Sequence, residues 1–293
     1  MKNSLFKSLS NYLKLVKFSH TLFAMPFALA GFFWGVHYSN NFTWILLLKV
    51  ILCMVFARNA AMSFNRIVDI RIDTLNYRTN QRELPAQHIK IKQAIIFCFI
   101  NALAFIACAF WINFLCFILS PVALIVVLGY SYTKRFTWFC HLILGLGLSL
   151  APIGAFIATT NQINTPIILL GMSVLLWVSG FDIIYALQDI NFDKANNLKS
   201  IPERIGIKKS LIISSILHVI SLILLLFSGF YQQVGLLYWL GCICFSALLF
   251  YQHIIISEKD LSRVNQAFFT FNGFASIIFS IFCIADSYFP IIF

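Results

Sequence analysis

The sequence predicts an all-helical membrane protein with nine transmembrane helices and a cytosolic N-terminus. Of the 293 residues, 60% are hydrophobic and only 11% are charged, whereas soluble domains carry about 25% charged residues. The mean hydropathy is +0.88, and the apolar runs are too many and too long for a soluble core. Lysines and arginines recur in alternate connecting segments, as they do in the cytosolic loops of membrane proteins.

Nine apolar stretches are predicted to span the bilayer, with ends fixed to within about 2–4 residues. The third and fourth stretches are separated only at residues 111–113, which predicts a tight helical hairpin. No soluble domain or linker interrupts the chain, so residues 1–293 are expected to form a single membrane domain. The predicted spans cover residues 18–37, 43–64, 93–111, 114–131, 138–159, 166–187, 210–230, 234–256 and 266–287.

The distribution of positive charge sets the predicted orientation. Every lysine and arginine except Lys49 and Arg58 lies before the first span or in an alternate loop, and the intervening loops carry none. By the positive-inside rule the N-terminus is cytosolic and the C-terminus lies outside, as an odd number of spans requires. The net charge of +11 is therefore mostly topological. It favours contact with anionic membrane lipid and gives no reason to expect a nucleic-acid partner.

Cysteine and histidine give no strong indication of a metal site. The eight cysteines lie in or beside apolar spans, and none forms a CxxC pair. Cysteine inside a helix behaves as a small apolar residue, so neither a disulfide framework nor a zinc site is expected. Among the histidines, only His20 and His141 lie near the predicted cytosolic face, and a local hydrogen-bonding role is expected for each.

The acidic residues are concentrated in two segments, each following an apolar span. Carboxylates four residues apart share one face of a helix. The same offset of 120 positions separates Asp69 from Asp189 and Asp73 from Asp193, which indicates a weak internal repeat of two four-helix units with a ninth span added. The first segment carries Asn65, Asp69 and Asp73, and the second carries Asp182, Asp189 and Asp193.

Two such faces turned toward each other would form a cage of hard oxygen ligands for Mg²⁺. This ion takes one or two carboxylates and completes its shell with substrate phosphate oxygens, which points to chemistry on a lipid-linked diphosphate. The alternative is an ordinary helix end whose acids pair with Arg66 and Arg71. Acids near the membrane are costly, however, and are functional candidates by default. The predicted metal ligands are Asn65, Asp69, Asp73, Asp189 and Asp193.

Basic residues follow both acidic segments and are candidates for binding the leaving diphosphate. The positive-inside rule explains the same residues without a site. Function is favoured for Arg82 and Lys199, and the choice stays open for Arg78 and Arg204.

Three further residues are candidates for binding an acceptor substrate. Arg58 lies inside the second span and needs a partner there, which would be either Asp182 or the carboxylate of a substrate. Arg135 closes the fourth span and belongs either to the basic membrane interface or to a second basic site facing the cavity. Asp182 is the third candidate of this group.

These motifs jointly resemble the signatures of the UbiA prenyltransferases, in order and over essentially the whole chain. Tyr77, Glu83 and Gln87 depart from the family pattern, and they affect the turn geometry of their loop rather than its ligands. The similar segments are Asn65-x3-Asp69-x3-Asp73, Asn76-x-Arg78-Thr79-x2-Arg82-x-Leu84-Pro85, Tyr130-x3-Lys134-Arg135-x-Thr137, Pro152-x-Gly154, Asp182-x2-Tyr185-Ala186-x-Gln188-Asp189-x3-Asp193 and Lys199-Ser200-Ile201-Pro202-x-Arg204-x-Gly206.

The resemblance implies a nine-helix UbiA-type bundle that acts as an aromatic prenyltransferase in a bacterial inner membrane, with its active site toward the cytosol. Mg²⁺ and basic residues would draw diphosphate from a polyprenyl diphosphate, and the allylic cation would attack a small aromatic acid. The 4-hydroxybenzoate polyprenyltransferases of ubiquinone biosynthesis are the group most alike. The segments at 19–28 and 58–62 also resemble a sister group that prenylates in the futalosine route to menaquinone.

Two rivals come from other functional classes. A nine-helix transporter would place its ion site at the membrane midplane, whereas these acids lie at helix ends on one side. A non-catalytic membrane scaffold would not need paired acidic motifs. The identity of the aromatic acceptor, the prenyl chain length and the oligomeric state are not readable from the sequence.

Overall fold

The computed structural model describes residues 10–16 and 23–289, and it is helical wherever regular structure occurs in them. Within these residues there is no β-strand, and only an isolated bridge joins Ser257 to Asp260. Residues 10–15 are helical. The other α-helices are α1 (Ala24–Ser39), α2 (Trp44–Val68), α3 (Ile70–Leu75), α4 (Ile91–Ile112), α5 (Phe114–Thr133), α6 (Cys140–Thr160), α7 (Thr165–Ala186), α8 (Ile190–Ala195), α9 (Ile201–Gln232), α10 (Leu236–Ile254), α11 (Val264–Gln266) and α12 (Asn272–Tyr288).

Eight helical segments of the described residues are long and apolar enough to cross a membrane, so this is an integral membrane protein. They correspond to the second through ninth predicted spans. The first predicted span coincides with α1, which has 16 residues and extends for about 24 Å at 1.5 Å per residue. Residues 18–22 of that prediction lie outside the described part of the chain, as do Lys2, Lys7, Lys17 and His20. The count of nine and the orientation of the N-terminus therefore stay predictions.

Local signals explain where the helices begin and end. The predicted break between the third and fourth spans is confirmed, because a single extended residue, Asn113, separates α4 from α5. Helix α9 is interrupted by a kink at Gly206, where φ is 78° and ψ is 177°, so a short helix from Ile201 precedes the part that contains the predicted span at 210–230. Its N-cap Ser200 accepts a hydrogen bond from the backbone of Glu203, and Pro202 lies in the first turn. This first part of α9 is polar, so the apolar run alone did not indicate it.

The chain groups into two compact units, and each is described separately. The first comprises Met1–Thr21 with Leu48–Tyr132, and the second comprises Leu22–Leu47 with Thr133–Phe293. The expectation that residues 1–293 form one domain stays a prediction. The first acidic motif lies in the first unit, and the second motif lies in the second unit.

In the first unit, the long loop after α3 is folded onto the helices rather than extended from them. Leu84 and Ile89 from this loop pack with Leu15 and Ala94 in a buried cluster. Backbone hydrogen bonds within the loop, such as Arg82 N to the Thr79 carbonyl at 3.0 Å, fix its turns. The loop therefore holds its polar side chains in defined positions next to the first acidic motif.

In the second unit, the core is aromatic and closely packed. Trp177 is fully buried on α7 between Phe27 of α1 and Phe245 of α10, with ring centroids 5.2 and 5.6 Å apart. Its indole donates a hydrogen bond to Asn272 of α12 at 2.9 Å, which satisfies the polar atom. At Gly31 a side chain would collide with the backbone of Pro152, so glycine permits α1 and α6 to touch. These contacts fix α7, which carries the second acidic motif at its end.

Candidate active site

The two acidic motifs have the same local backbone, which extends the repeat seen in the sequence. At Asp69 helix α2 has just ended, φ and ψ are −92° and 8°, and the six-residue helix α3 follows. At Asp189 a 3₁₀ turn ends, φ and ψ are −103° and 4°, and the six-residue helix α8 follows. In each motif the first aspartate is the N-cap of a short helix, and the second lies in its first turn. The predicted repeat is therefore present in the local structure of both motifs.

In the first motif, the inner aspartate is buried and paired with two guanidinium groups. Asp73 is 4% exposed. Its Oδ1 accepts a hydrogen bond from Arg82 Nη1 at 2.6 Å, and its Oδ2 lies 3.8 Å from Arg66 Nη1. The backbone carbonyl of Asp73 accepts a hydrogen bond from Thr79 Oγ1 at 3.1 Å. Of the two arginines in the alternative of an ordinary helix end, Arg66 lies beside Asp73, and the whole arrangement ties the loop to the motif.

The outer aspartate of the first motif has a different environment. Asp69 is half-buried, and its Oδ2 accepts a hydrogen bond from Asn65 Nδ2 at 3.0 Å. The hydrogen bond joins two side chains that lie four residues apart, and it does not use the amide oxygen of Asn65.

The second motif repeats this division between a buried and a half-buried aspartate. Asp193 is 1% exposed, and Asp189 is half-buried. Asp193 accepts hydrogen bonds from Lys134 Nζ and from Ser200 Oγ, both at 3.0 Å. Burial alone would lower the pKa of Lys134, but attraction by Asp193 and Asp189 outweighs this effect and the pKa is raised. Lys134 is therefore held in its charged form beside the motif.

Two candidate diphosphate ligands share one aromatic ring. Lys199 Nζ lies 4.9 Å from the ring centre of Trp138, and Arg204 Cζ lies 4.0 Å from it. Lys199 also donates from its backbone N–H to the carbonyl of Lys134 at 2.7 Å and from Nζ to the carbonyl of Phe136 at 3.2 Å. The loop between α5 and α6 thus brings Lys134, Lys199 and Arg204 together within the second unit.

The candidate acceptor ligands occupy separate positions. Asp182 lies on α7, where its Oδ2 is 2.6 Å from Nδ1 of His141 on α6. His141 thus has a hydrogen-bonding role, and its partner lies 41 residues away in the chain. Arg135 is exposed in the loop after α5, and Arg58 is partly buried within α2. Arg58 belongs to the first unit, whereas Arg135 and Asp182 belong to the second.

Several contacts of the site were not anticipated from the sequence. No role is predicted for Trp138 from the sequence, and Lys134 and Ser200 appear there only within motifs. Lys134 and Asp193 are 59 residues apart in the chain, so no local pattern connects them. The partial exceptions are Arg66, which follows Asn65 directly, and Ser200, whose position two residues before a proline is typical of a helix N-cap.

The carboxylates of the two motifs are oxygen donors, the type of ligand that Mg²⁺ binds. Within residues 10–16 and 23–289 no group of three or more His, Cys, Asp and Glu side chains forms a complete metal site. Mg²⁺ does not need one, because it usually takes one or two carboxylates with water and substrate phosphate. The carboxylates of Asp69 and Asp189, both half-buried, are of the type that Mg²⁺ takes. The ligand role of Asp73 and Asp193 stays a prediction, since their carboxylates bind cations of the protein.

Comparisons with known proteins identify the family of this chain. The model of the UbiA prenyltransferase family matches residues 24–275. The 4-hydroxybenzoate octaprenyltransferase of Francisella tularensis subsp. novicida (strain U112) is 30% identical over 226 residues, which are 77% of this chain and 79% of that protein. The 4-hydroxybenzoate octaprenyltransferase of Aliivibrio fischeri (strain MJ11) is 28% identical over 237 residues, 80% of this chain and 82% of that protein.

Solved structures give the same result for the fold. The apo structure of a UbiA homolog from Aeropyrum pernix K1 superposes with a TM-score of 0.82 at 28% identity, covering 91% of this chain and 98% of that one. A UbiA homolog from Archaeoglobus fulgidus bound to GPP and Mg²⁺ superposes with a TM-score of 0.64 at 22% identity, covering 91% and 99%. This integral membrane protein belongs to the UbiA prenyltransferase family.

Proposed function

We propose that the protein transfers a polyprenyl group from polyprenyl diphosphate to the ring of a small aromatic acid, 4-hydroxybenzoate, in a reaction that depends on Mg²⁺. The observation that supports this most is the repeated motif, in which a half-buried aspartate precedes a buried aspartate paired with a cation. Relatives named 4-hydroxybenzoate octaprenyltransferase support the acceptor. The homolog bound to GPP and Mg²⁺ supports the donor and the metal.

The two aspartates of each motif have different parts in this mechanism. Asp69, with the amide oxygen of Asn65, and Asp189 would hold Mg²⁺, which when bound neutralises diphosphate charge and eases its departure. Asp73 and Asp193 each bind a cation of the protein and so stabilise the conformation of the motif. Coordinating the metal would be their secondary role. The donor's diphosphate oxygens would bind four cations of the protein. These are Arg78, Arg82, Lys199 and Arg204.

The acceptor's carboxylate also needs a partner in the membrane. An unpaired buried charge is costly, so a fixed arginine is required where the aromatic acid binds. Arg58 and Arg135 are the candidates, and Asp182 completes the acceptor site through its contact with His141. A transporter or a scaffold would not need separate sites for a diphosphate and an aromatic acid. Membership of the UbiA family also disfavours both.

We further propose nine spans in a bacterial inner membrane, with a cytosolic N-terminus and the active site facing the cytosol. Helix α1, with the residues just before it, would be the ninth span. Basic residues in the loops after α3, α5, α8 and α10 support this orientation. Reporter fusions in the loop at 134–139 and in the loop at 161–164 test it. A cytosolic signal from the second loop would contradict the proposed topology.

The decisive experiment is prenyl transfer by the purified protein with a labelled donor, a panel of aromatic acids, and Mg²⁺ or a chelator. The panel includes acceptors of both quinone routes. Asp69→Asn and Asp189→Asn should each reduce the rate by about 10²–10³, the usual effect of losing one such electrostatic group, while the protein stays folded. Asp260→Asn, an exposed aspartate in the turn at 257–263, is the matched control and should be as active as wild type. Wild-type activity in either motif variant would refute the site.

A further inference from the structure

A short helix at residues 10–15 packs against the long loop that follows the first acidic motif. Its Leu15 is 0% exposed, and it belongs to one buried cluster with Leu84 and Ile89 of the loop and with Ala94 of α4. Leu84 and Ile89 are buried as deeply as core residues, although they lie in a loop. The cluster therefore joins helix 10–15, the loop and α4 within the first unit.

Helix 10–15 depends on this packing for its own structure. An isolated helix of this length is not stable by itself. Tyr12 and Leu15 are three residues apart and share a face, and the ring of Tyr12 lies 4.9 Å from the ring of Phe97 on α4. Leu13 and Lys14 between them are exposed. The helix is thus held by the one face that it turns toward the loop and α4.

The loop residue that meets Leu15 lies in the same turn as a candidate diphosphate ligand. The backbone N–H of Ala86 donates to the carbonyl of Arg82 at 2.9 Å, so this turn encloses Leu84. The N–H of Gln87 donates to the carbonyl of Leu84 at 3.0 Å, which continues the turn. A displacement of Leu84 would therefore move the backbone that carries Arg82.

Arg82 lies between two attachments of the loop that differ in chemistry. On one side, Thr79 Oγ1 donates to the backbone carbonyl of Asp73 at 3.1 Å, which attaches the loop to the motif. On the other side, Leu84 packs in the apolar cluster with Leu15. The side chain of Arg82 binds Asp73 and is 21% exposed. Without the apolar attachment, the backbone of Arg82 would be held from one side only.

We propose that Leu15 is a positioning residue for the prenyl donor, and that it acts through Leu84. It holds the loop in the conformation in which Arg78 and Arg82 bind the diphosphate. This inference rests on the proposed function, in which these two arginines bind the donor. Helix 10–15 is then a strap across the loop, and a segment before the first span contributes to substrate binding without contacting the substrate.

The role predicts which kinetic constant changes when Leu15 is shortened. Loss of the apolar attachment lets the loop adopt other conformations, and the apparent affinity for the donor falls with the fraction that remains competent. A loop that is competent about one tenth of the time raises the donor's KM roughly tenfold. Saturating donor restores the competent conformation, so kcat should change little. A purely structural role predicts the opposite, since fewer active molecules lower kcat at an unchanged KM.

The test measures steady-state kinetics with polyprenyl diphosphate and 4-hydroxybenzoate varied in turn. Leu15→Ala should raise the donor's KM roughly tenfold, with little change in kcat or in the acceptor's KM. Leu13→Ala is the matched control, because Leu13 lies on the same helix and is 46% exposed, and it should behave as wild type. Leu225 is 0% exposed in the core of the second unit, so Leu225→Ala should lower the melting temperature and leave the donor's KM unchanged.

Hydrogen exchange of the loop's backbone amides gives a readout that does not depend on turnover. The N–H groups of Arg82, Ala86 and Ile89 are hydrogen-bonded within the loop, and they should exchange faster in Leu15→Ala than in wild type or Leu13→Ala. Inorganic diphosphate with Mg²⁺ serves as the probe of the site, and it should slow this exchange in the variant.

The outcomes separate the failure of this inference from that of the proposed function. A wild type that prenylates no aromatic acid refutes the proposed function, and the donor role of Leu15 with it. In an active wild type, the role of Leu15 alone is refuted if Leu15→Ala loses kcat at an unchanged donor KM, or if its loop exchanges at the wild-type rate. A rise in the donor's KM as large in Leu225→Ala also overturns it.

Two further variants cover a Leu15→Ala protein that does not fold. Leu15→Val shortens the side chain less, and a raised donor KM at an unchanged kcat supports the inference, whereas an unchanged KM overturns it. Leu15→Met keeps about the same volume and should restore the wild-type donor KM. A donor KM in Leu15→Met as high as in the shortened variant would contradict a role based on packing.

Discussion

Replacing Asp73 by asparagine should damage folding as well as catalysis, whereas the same change at Asp69 should damage catalysis alone. Asp73 is buried and has two guanidinium neighbours, at 2.6 Å for Arg82 and 3.8 Å for Arg66. Removing one partner of a buried ion pair costs about 3–5 kcal/mol, because the other charge stays buried without compensation. Arg82 is 21% exposed and can turn part of its charge to water, whereas Arg66 is 4% exposed and cannot.

We therefore expect the lower end of that range, about 3 kcal/mol, for Asp73→Asn. For a chain of this size that loss lowers the melting temperature by roughly 6–12 °C. Asp69→Asn keeps an oxygen that can accept the hydrogen bond from Asn65, and the position is half-buried, so its melting temperature should lie within about 2 °C of wild type. Thermal unfolding in detergent, followed by size-exclusion chromatography, measures both.

A double variant separates the ion pair from other effects of the substitution. If the cost comes from stranded charge, adding Arg66→Gln to Asp73→Asn should restore part of the lost stability, since the guanidinium group that cannot turn to water is then removed. Two results would refute this reasoning. One is an Asp73→Asn protein that melts together with Asp69→Asn, and the other is a double variant that is less stable than either single variant.

Three further predictions follow from contacts of the site and its loop. Trp138→Leu should raise the KM of the donor several-fold in steady-state kinetics and leave the KM of the acceptor unchanged. Lys199 and Arg204 both lie over the ring of Trp138, and a cation–π contact contributes about 0.5–2 kcal/mol. Trp138→Phe should recover part of the lost affinity for the donor. Arg135→Ala should raise the acceptor's KM by roughly one to two decades, since charged hydrogen bonds contribute about 1.5–3 kcal/mol. A rise in the donor's KM instead would assign Arg135 to the diphosphate site. Gln87→Gly should raise the melting temperature, because the left-handed backbone at φ 56° costs a residue with a side chain about 1 kcal/mol. An unchanged or lower melting temperature would show that the backbone at Gln87 is not strained.

The spans could be predicted from hydropathy because apolar length is a local property of the chain. The eight spanning segments of the structure follow the apolar runs, and the tight break at Asn113 was visible as a short interruption. The exception, the short helix of α9 before the kink at Gly206, shows the limit of that signal. Its first turns are polar, and the capping pattern of Ser200 and Pro202 is the signal that could have revealed them.

The acidic motifs could be predicted from spacing, but the different environments of their members could not. Spacing treats Asp69 and Asp73 as equals, because they lie four residues apart on one helical face. The structure separates them, since Asp73 is buried against Arg82 and Asp69 is not. The partner of Asp193 is 59 residues away in the chain, and the partner of Asp182 is 41 residues away. Such contacts depend on helix packing, which one sequence does not encode in any local pattern.

The pairing of each inner aspartate with a cation of its own unit has a consequence for biogenesis. Asp73 carries its counter-charges from Arg82 and Arg66, and Asp193 carries its own from Lys134. A nascent chain can therefore insert into the lipid and fold each motif before a divalent ion binds, because the buried inner aspartate is already paired with a cation of the protein. Under the proposed function, metal binding would be a late event in a protein that is already folded, so growth in magnesium-poor conditions should leave its abundance in the membrane unchanged while its product falls.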